Sequence, residues 1–302
     1  MIGPMTAVEP PDPSRFRAGL ARLPDSCAAG GRGWCAAAAC ILEATVAKPG
    51  NVHPGASFPD LDCDELCAAG VAIAPALEAA PTTRLGLTVR RAVAASRGVT
   101  RSNANLGIVL ALAPLAAADG GDEEAVFARL DDADAADVWA AIAVAAPGGL
   151  GTAAADDLAG PSPPDLRGAM RRAAAWDRIA ALWTDGYAPL RSGLAADLER
   201  ELAAGATLAD AIARGFLRQL VREPDTLVAR RHGPEMAADV SRRAAEVLAA
   251  GPRWREAAAA FDAGLRRPRR INPGTTADLV AAALYILLRE KGLARLLGVG
   301  SA

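Results

Sequence analysis

From about position 30 onward, apolar residues return every three or four positions, and no stretch alternates apolar with polar over the length of a strand. That period predicts an all-α fold. Helices are predicted over 34–46, from a capping box at Asp62 and Glu65 to about position 80 with a break or kink at Pro75, and over 84–96, 105–117, 123–130 and 134–145. A glycine- and proline-rich interruption over 147–164 reads as a hinge or as a loop over a site. Beyond it, helices fit 190–203, 208–222, 234–249, 252–265 and 276–290, with Thr207 and either Thr275 or Thr276 as N-caps. Leu166, Met170, Trp176, Ile179, Trp183 and Tyr187 fall roughly on one helical face, which predicts a buried stripe. No repeat of fixed period argues for a solenoid. The expected architecture is one compact multi-helix domain, orthogonal or bundle-like, over 27–302, preceded by a loosely attached, proline-rich segment over 1–26.

Composition agrees. Alanine fills 75 of 302 positions, so much of the apolar content is a side chain that loses no rotamer entropy in a helix and lets helices approach closely. With 33 basic and 35 acidic side chains the net charge is -2, too small to draw the chain onto nucleic acid or an anionic membrane. The apolar runs at 106–118 and 280–288 are shorter than the ~20 residues that span a bilayer, so no membrane helix is expected. The first residues lack the basic-then-apolar pattern of a signal peptide, which points to the cytoplasm. Cys27, Cys35, Cys40, Cys63 and Cys67 are an odd set with no disulfide or zinc-finger spacing, and packed reduced thiols are the expected state. Cys63, Cys67 and the nearby His53 leave a metal site open as a weaker reading.

Four polar, glycine- or proline-punctuated segments interrupt this chain, each at a predicted helix end, where free backbone N–H groups and side chains can meet a ligand. The first carries Glu43, Lys48, Asn51, His53, Asp60 and Asp62. Lys48, one of two lysines, suits a point-charge contact to phosphate or, equally, a cation at a helix C-terminus. Glu43 on a small, apolar stretch faces solvent, a metal or a ligand. The second segment holds Asn103 and Asn105, as an N-cap or as holders of phosphate or ribose. The third sets Asp225 beside Arg230, Arg231 and His232, a pairing that suits a metal-nucleotide but also a capped turn with exposed charges. The fourth runs through Asn272, Thr275 and Asp278 and follows Arg266, Arg267, Arg269 and Arg270. Gly148, Gly149 and Gly151 lack the lysine and the preceding strand of a phosphate loop.

Taken in order, these segments resemble the triphosphoribosyl-dephospho-CoA synthase family from about Trp34 to Leu288. The resemblance rests on Glu43 with Lys48-Pro49-Gly50, Gly55-Ala56 with Asp60 and Asp62, Asn103 with Gly107, Asp225-Thr226, and Pro273-Gly274 with Ala277-Asp278-Leu279. It implies transfer of the ribosyl triphosphate of ATP to the 2′-hydroxyl of 3′-dephospho-CoA with release of adenine, Mg²⁺ as the cofactor, and nucleotide and CoA-type substrates as partners. It further implies Glu43, Asp62 and Asp225 as catalytic groups, Glu43, Asp60 and Asp225 around the metal, and Lys48, Asn51, His53, Asn103, Asn105, Arg230, Asn272, Thr275 and Asp278 on substrate. A homodimer is a further expectation. The chain also departs from the family pattern: Ser57-Phe58 stands where a His-Lys pair is usual, and Asn105-Leu106 where another is. Leucine and phenylalanine donate nothing to phosphate, so triphosphate binding is expected to be weak unless the arginines at 266–270 supply the charge. Two alternatives are a related Mg-dependent ribosyl-transferring or N-glycoside-cleaving enzyme on another nucleotide, and a helical interaction protein without catalysis.

Overall fold

The computed structural model describes residues 30–101, 105–145 and 162–296. The segment 1–26, the glycine run at 148–151 and Asn103 lie outside them. Among the described residues no strand forms, and the period of the sequence becomes an all-α domain whose only β-pairing is two isolated antiparallel bridges, His53 with Ala56 and Phe58 with Leu61.

Helix α1 (Arg32–Thr45) packs along α2 (Cys63–Glu78), and small residues set their separation. Ala36, Ala39 and Ala69 are fully buried, and a Cβ on Gly70 would come within 2.5 Å of the Cβ of Cys40. The α2 N-terminus carries the expected capping box: Glu65 N donates to Asp62 Oδ1 at 2.8 Å and Asp62 N to Glu65 Oε2 at 3.3 Å. Helix α2 runs on through Pro75 to Glu78 without the expected break. Next come α3 (Leu85–Arg97), α4 (Leu106–Ala118), α5 (Glu123–Phe127) and α6 (Asp132–Ala145).

Two helices form the centre. In α4 every residue from Ile108 to Ala116 is buried, and so is every residue from Leu279 to Leu288 in α15 (Gly274–Leu296), which is bent at Gly292 (φ 73°). Pro114 leaves a gap in the hydrogen-bond ladder of α4, because it has no N–H to give the carbonyl of Leu110. The indole of Trp183 takes over that bond, Nε1 donating to Leu110 O at 3.0 Å, and the Tyr187 hydroxyl donates to Ala111 O at 2.7 Å. The proline that weakens α4 thereby becomes the seat of α8 (Arg178–Asp185).

The apolar stripe is therefore core at Leu166, Met170, Ile179, Trp183 and Tyr187, but not at Trp176, which is 60% exposed. The chain breaks between α7 (Leu166–Ala173) and α8, and residues 174–177 leave the helical face that a single helix would have given them. After α8 come α9 (Ala188–Leu190), a π-turn over Arg191–Ala195, α10 (Ala196–Ala203) and α11 (Leu208–Arg222), the last capped by Thr207 as expected. A short helix absent from the sequence reading, α12 (Thr226–His232), precedes α13 (Pro234–Ala249) and α14 (Trp254–Arg266). The polar ends of α1, α4, α12, α14 and α15 supply the site.

Candidate active site

Glu43 closes the last turn of α1, and the Lys48-Pro-Gly turn folds back on it. Lys48 Nζ lies 3.0 Å from Glu43 Oε1 and also donates to the carbonyls of Glu43 and Val46. The two residues are 4% and 1% exposed, so the lysine read as a phosphate contact is enclosed as the counter-ion of Glu43. Gly50 takes φ 81°, where an L-residue is disfavoured, and its N–H donates to Asp262 Oδ1 of α14 at 2.8 Å. Asn51 then bridges to the fourth segment, its Nδ2 donating to Asn272 Oδ1 at 2.5 Å and to Pro273 O at 3.4 Å.

Asp225 joins the third and fourth segments. Oδ1 caps α12 by accepting from Val228 N at 2.9 Å, and Oδ2 accepts from Thr276 N at 2.7 Å and Thr276 Oγ1 at 2.8 Å. The adjacent Thr226 hydroxyl donates to Thr275 Oγ1 at 3.1 Å. Burial pushes the Asp225 carboxyl above its usual range, and these donors offset part of that rise.

Asp278, just past the first turn of α15, meets the start of α4. A methyl on Gly107 would collide with its carboxylate, so glycine is what lets the acid sit there. Burial raises the Asp278 carboxyl well above the carboxylate range, and the charges of Glu43, Asp225 and Asp177 raise it further against the opposing pull of Arg230. Glu43, Asp225 and Asp278 thus share one electrostatic neighbourhood across more than 230 positions. Asn105, the residue before α4, is 2% exposed and neither amide atom has a hydrogen-bond partner; it lines a small pocket with Val93, Ser96, Arg97, Leu106 and Ala145.

A basic wall stands beside this acidic one. Arg230 Nη1 lies 3.3 Å from Asp177 Oδ2, whereas its neighbour Arg231 has no ion-pair partner among the described residues. Burial lowers the Arg231 guanidinium below its usual value, and Arg230 and Arg270 lower it further. Arg270, at a left-handed φ of 48°, stands 4.2 Å above the centre of the Phe58 ring and pairs with Asp60; Arg266 stands 5.4 Å from the same ring and pairs with Asp262 at 2.7 Å. The Arg270 contact holds the Asp60 carboxyl below its usual range. This chain thus gathers two guanidiniums onto a phenylalanine.

The remaining expected residues make local contacts. Asp62 caps α2, and its partner Glu65 takes Arg101 Nε at 2.8 Å. His53 accepts a hydrogen bond from Gly55 N at Nδ1, and burial, helped by Arg266, lowers its imidazole. Arg266 and Arg270 on the Phe58 ring, and Asp177 beside Arg230, are site groups the sequence reading did not pair; their partners lie between 53 and more than 200 positions away.

The fit to a resident Mg²⁺ is poor. Among the described residues no three His, Cys, Asp or Glu side chains are placed to hold a metal ion. Glu43 is engaged by Lys48, Asp60 by Arg270, and both Asp225 oxygens by N–H and O–H donors.

The model of the ATP:dephospho-CoA triphosphoribosyl transferase family matches residues 31–296. The chain belongs to that family. It is thus a transferase that moves the triphosphoribosyl group of ATP to dephospho-CoA, the step that makes the prosthetic-group precursor of citrate lyase. Among solved structures it is similar to one described as a triphosphoribosyl-dephospho-CoA synthase from Archaeoglobus fulgidus, at 23% identity and a TM-score of 0.58, covering 74% of this chain and 99% of that one. That likeness establishes the fold. No curated protein matches the chain.

Proposed function

We propose that the transfer takes place in the cleft between the acidic wall of Glu43, Asp225 and Asp278 and the basic wall of Arg230, Arg231 and Arg270. The observation that carries this is the tying of the first and third segments to the fourth, Asn51 to Asn272 and Asp225 to Thr276, across parts far apart in the chain. Arg231, without a carboxylate of its own, takes the triphosphate of ATP together with Arg230 and Arg270. This charge replaces that of the two missing His-Lys pairs. Mg²⁺ arrives bound to ATP as part of the substrate, which suits a site with acids but no prebuilt cage.

Chemically, the bond from C1′ of the ribose to N9 of adenine breaks, and the 2′-hydroxyl oxygen of dephospho-CoA forms the new bond to C1′. The departing base gains a proton and the hydroxyl loses one. Asp278, whose carboxyl burial raises well above the usual range, donates to the base; Glu43 is the acceptor for the hydroxyl proton, through a shift in its contact with Lys48. Negative charge on Glu43 and Asp225, joined by that of Asp278 once its proton has passed to the base, favours the oxocarbenium-like centre. Asp225 and Asp62 position the segments, and Asn51, Asn272, Thr275 and Asn105 line or brace the nucleotide path.

The buried thiols of Cys35, Cys40 and Cys63 support a reducing, cytoplasmic setting, and no described helix is long and apolar enough to cross a membrane. We also infer a homodimer, supported by Trp34 of α1 and Val71 of α2, large apolar side chains left 43% and 56% exposed. The deciding experiment incubates the pure protein with MgATP, with and without dephospho-CoA, and follows free adenine by chromatography. Adenine release that requires dephospho-CoA is the expected result. Release without an acceptor would make the protein an N-glycoside-cleaving enzyme instead, and no release would refute the assignment.

A further inference from the structure

Trp176 is the most exposed large apolar side chain among the described residues, at 60%. Its backbone is nevertheless firmly held. Trp176 N and Asp177 N both donate to Ala173 O, at 3.0 and 2.9 Å. Asp177 Oδ1 caps α8 through Ile179 N at 2.8 Å and Ala180 N at 3.2 Å, while Oδ2 faces Arg230 at 3.3 Å. One residue on, Arg178 N donates to the Thr226 hydroxyl at 3.4 Å, and Thr226 bonds Thr275. The turn that carries the indole is thus pinned to α12 and, through Thr226, to the start of α15, the elements that build the cleft.

An exposed aromatic on a held turn, one residue from the Asp177–Arg230 pair, is an expensive arrangement for a free surface, since burying an indole is worth far more than leaving it in water. Three alanines precede it on the chain, and the two residues after it are charged and paired, Asp177 with Arg230 at 3.3 Å and Arg178 with Glu223 at 2.8 Å, which sets the indole next to a site cation. A flat π-face beside phosphate-binding guanidiniums matches a nucleotide base: the phosphates take the arginines and the ring takes the indole.

We propose that Trp176 is the stacking platform for the adenine ring of a nucleotide bound in the cleft. This rests on the reaction proposed above, and both of its substrates, ATP and dephospho-CoA, carry an adenine. The test measures binding of ATP, dephospho-CoA and inorganic tripolyphosphate to the whole chain by equilibrium dialysis, for wild type, Trp176→Phe, Trp176→Leu and Trp176→Ala.

Stacking predicts that Trp176→Ala and Trp176→Leu weaken one of the two nucleotides by about ten-fold or more, that Trp176→Phe stays within about three-fold, and that tripolyphosphate, which has no base, binds all four proteins alike. The nucleotide that loses affinity identifies whose adenine is stacked. Unchanged nucleotide binding in Trp176→Ala overturns the inference, and so does an equal loss for tripolyphosphate, which would mean a disturbed Asp177–Arg230 pair. Loss of a dimer with nucleotide binding intact also overturns it. A wild-type protein that binds neither nucleotide overturns the proposed reaction together with the inference, whereas normal turnover with an indifferent Trp176 overturns the inference alone.

Discussion

The ammonium of Lys48 lies 3.0 Å from the carboxylate of Glu43, with both side chains almost wholly withdrawn from water. Removing one partner from such a pair strands the other charge, at a cost of about 3–5 kcal/mol. Lys48→Met is therefore expected to lower the urea midpoint sharply. Glu43→Gln combined with Lys48→Met should recover much of the loss, and a double-mutant cycle on urea melts measures the coupling.

Asp225 holds three donors on two helices at once. Asp225→Ala leaves those buried groups unsatisfied and removes a helix cap, so a destabilisation of about 3 kcal/mol is expected. Asp225→Asn keeps one acceptor and should cost less than half as much. Thermal melts of both variants, set beside their nucleotide binding, separate the brace from any direct part in the chemistry.

For Asp278 the sign runs the other way. Its native-state carboxyl sits well above the unfolded value of 3.8, so the native protein holds this proton more tightly than the unfolded chain does. The stability from that preference is complete below the unfolded value and is lost as pH rises through the native one. Asp278→Asn avoids the ionisation. The variant is expected to be more stable than wild type at pH 7, with the gap closing as pH falls toward 4. Adenine release should drop at least a hundred-fold in the same variant. A melting series across pH 4–8 alongside turnover reads both effects.

Arg270 supplies charge at the Phe58 ring, and its contact with Asp60 is exposed and contributes little to folding. Arg270→Ala is expected to raise the KM for MgATP about ten-fold while the melting temperature stays within about 2 °C. Asp60→Ala, which frees the guanidinium, should leave KM the same or lower it. Steady-state kinetics of the two variants decide whether the arginine faces substrate.

Much of the fold was legible because it is local. Apolar spacing of 3.6 residues, the Asp62–Glu65 capping box and the Thr207 cap each act within a few positions, and each gave the element it implied. Trp176 escaped for the same reason that Trp183 did not: the break at 174–177 takes the first off the helical face and leaves the second on it. The site was legible as segments but not as contacts. Asp225 could be read as a cap, but nothing nearby in the chain shows that its second oxygen reaches Thr276, 51 positions on. Arg270 and Phe58 are separated by more than 200 positions, so a ring that looked like a lost cation became the support for two. Asn103, expected on ribose or phosphate, lies outside the described residues.

The enclosure of Lys48 also decides how the protein meets amine-reactive chemistry. The sequence has two lysines and 31 arginines' worth of the remaining positive charge, and the second lysine, Lys291, is partly exposed with its Nζ 3.3 Å from Glu199. An acylating or reductively methylating reagent therefore finds one reachable side-chain ammonium on the folded chain, far along α15 from the cleft. Modification of Lys48 would register unfolding of the α1 turn, which makes lysine labelling a clock for the opening of this part of the protein.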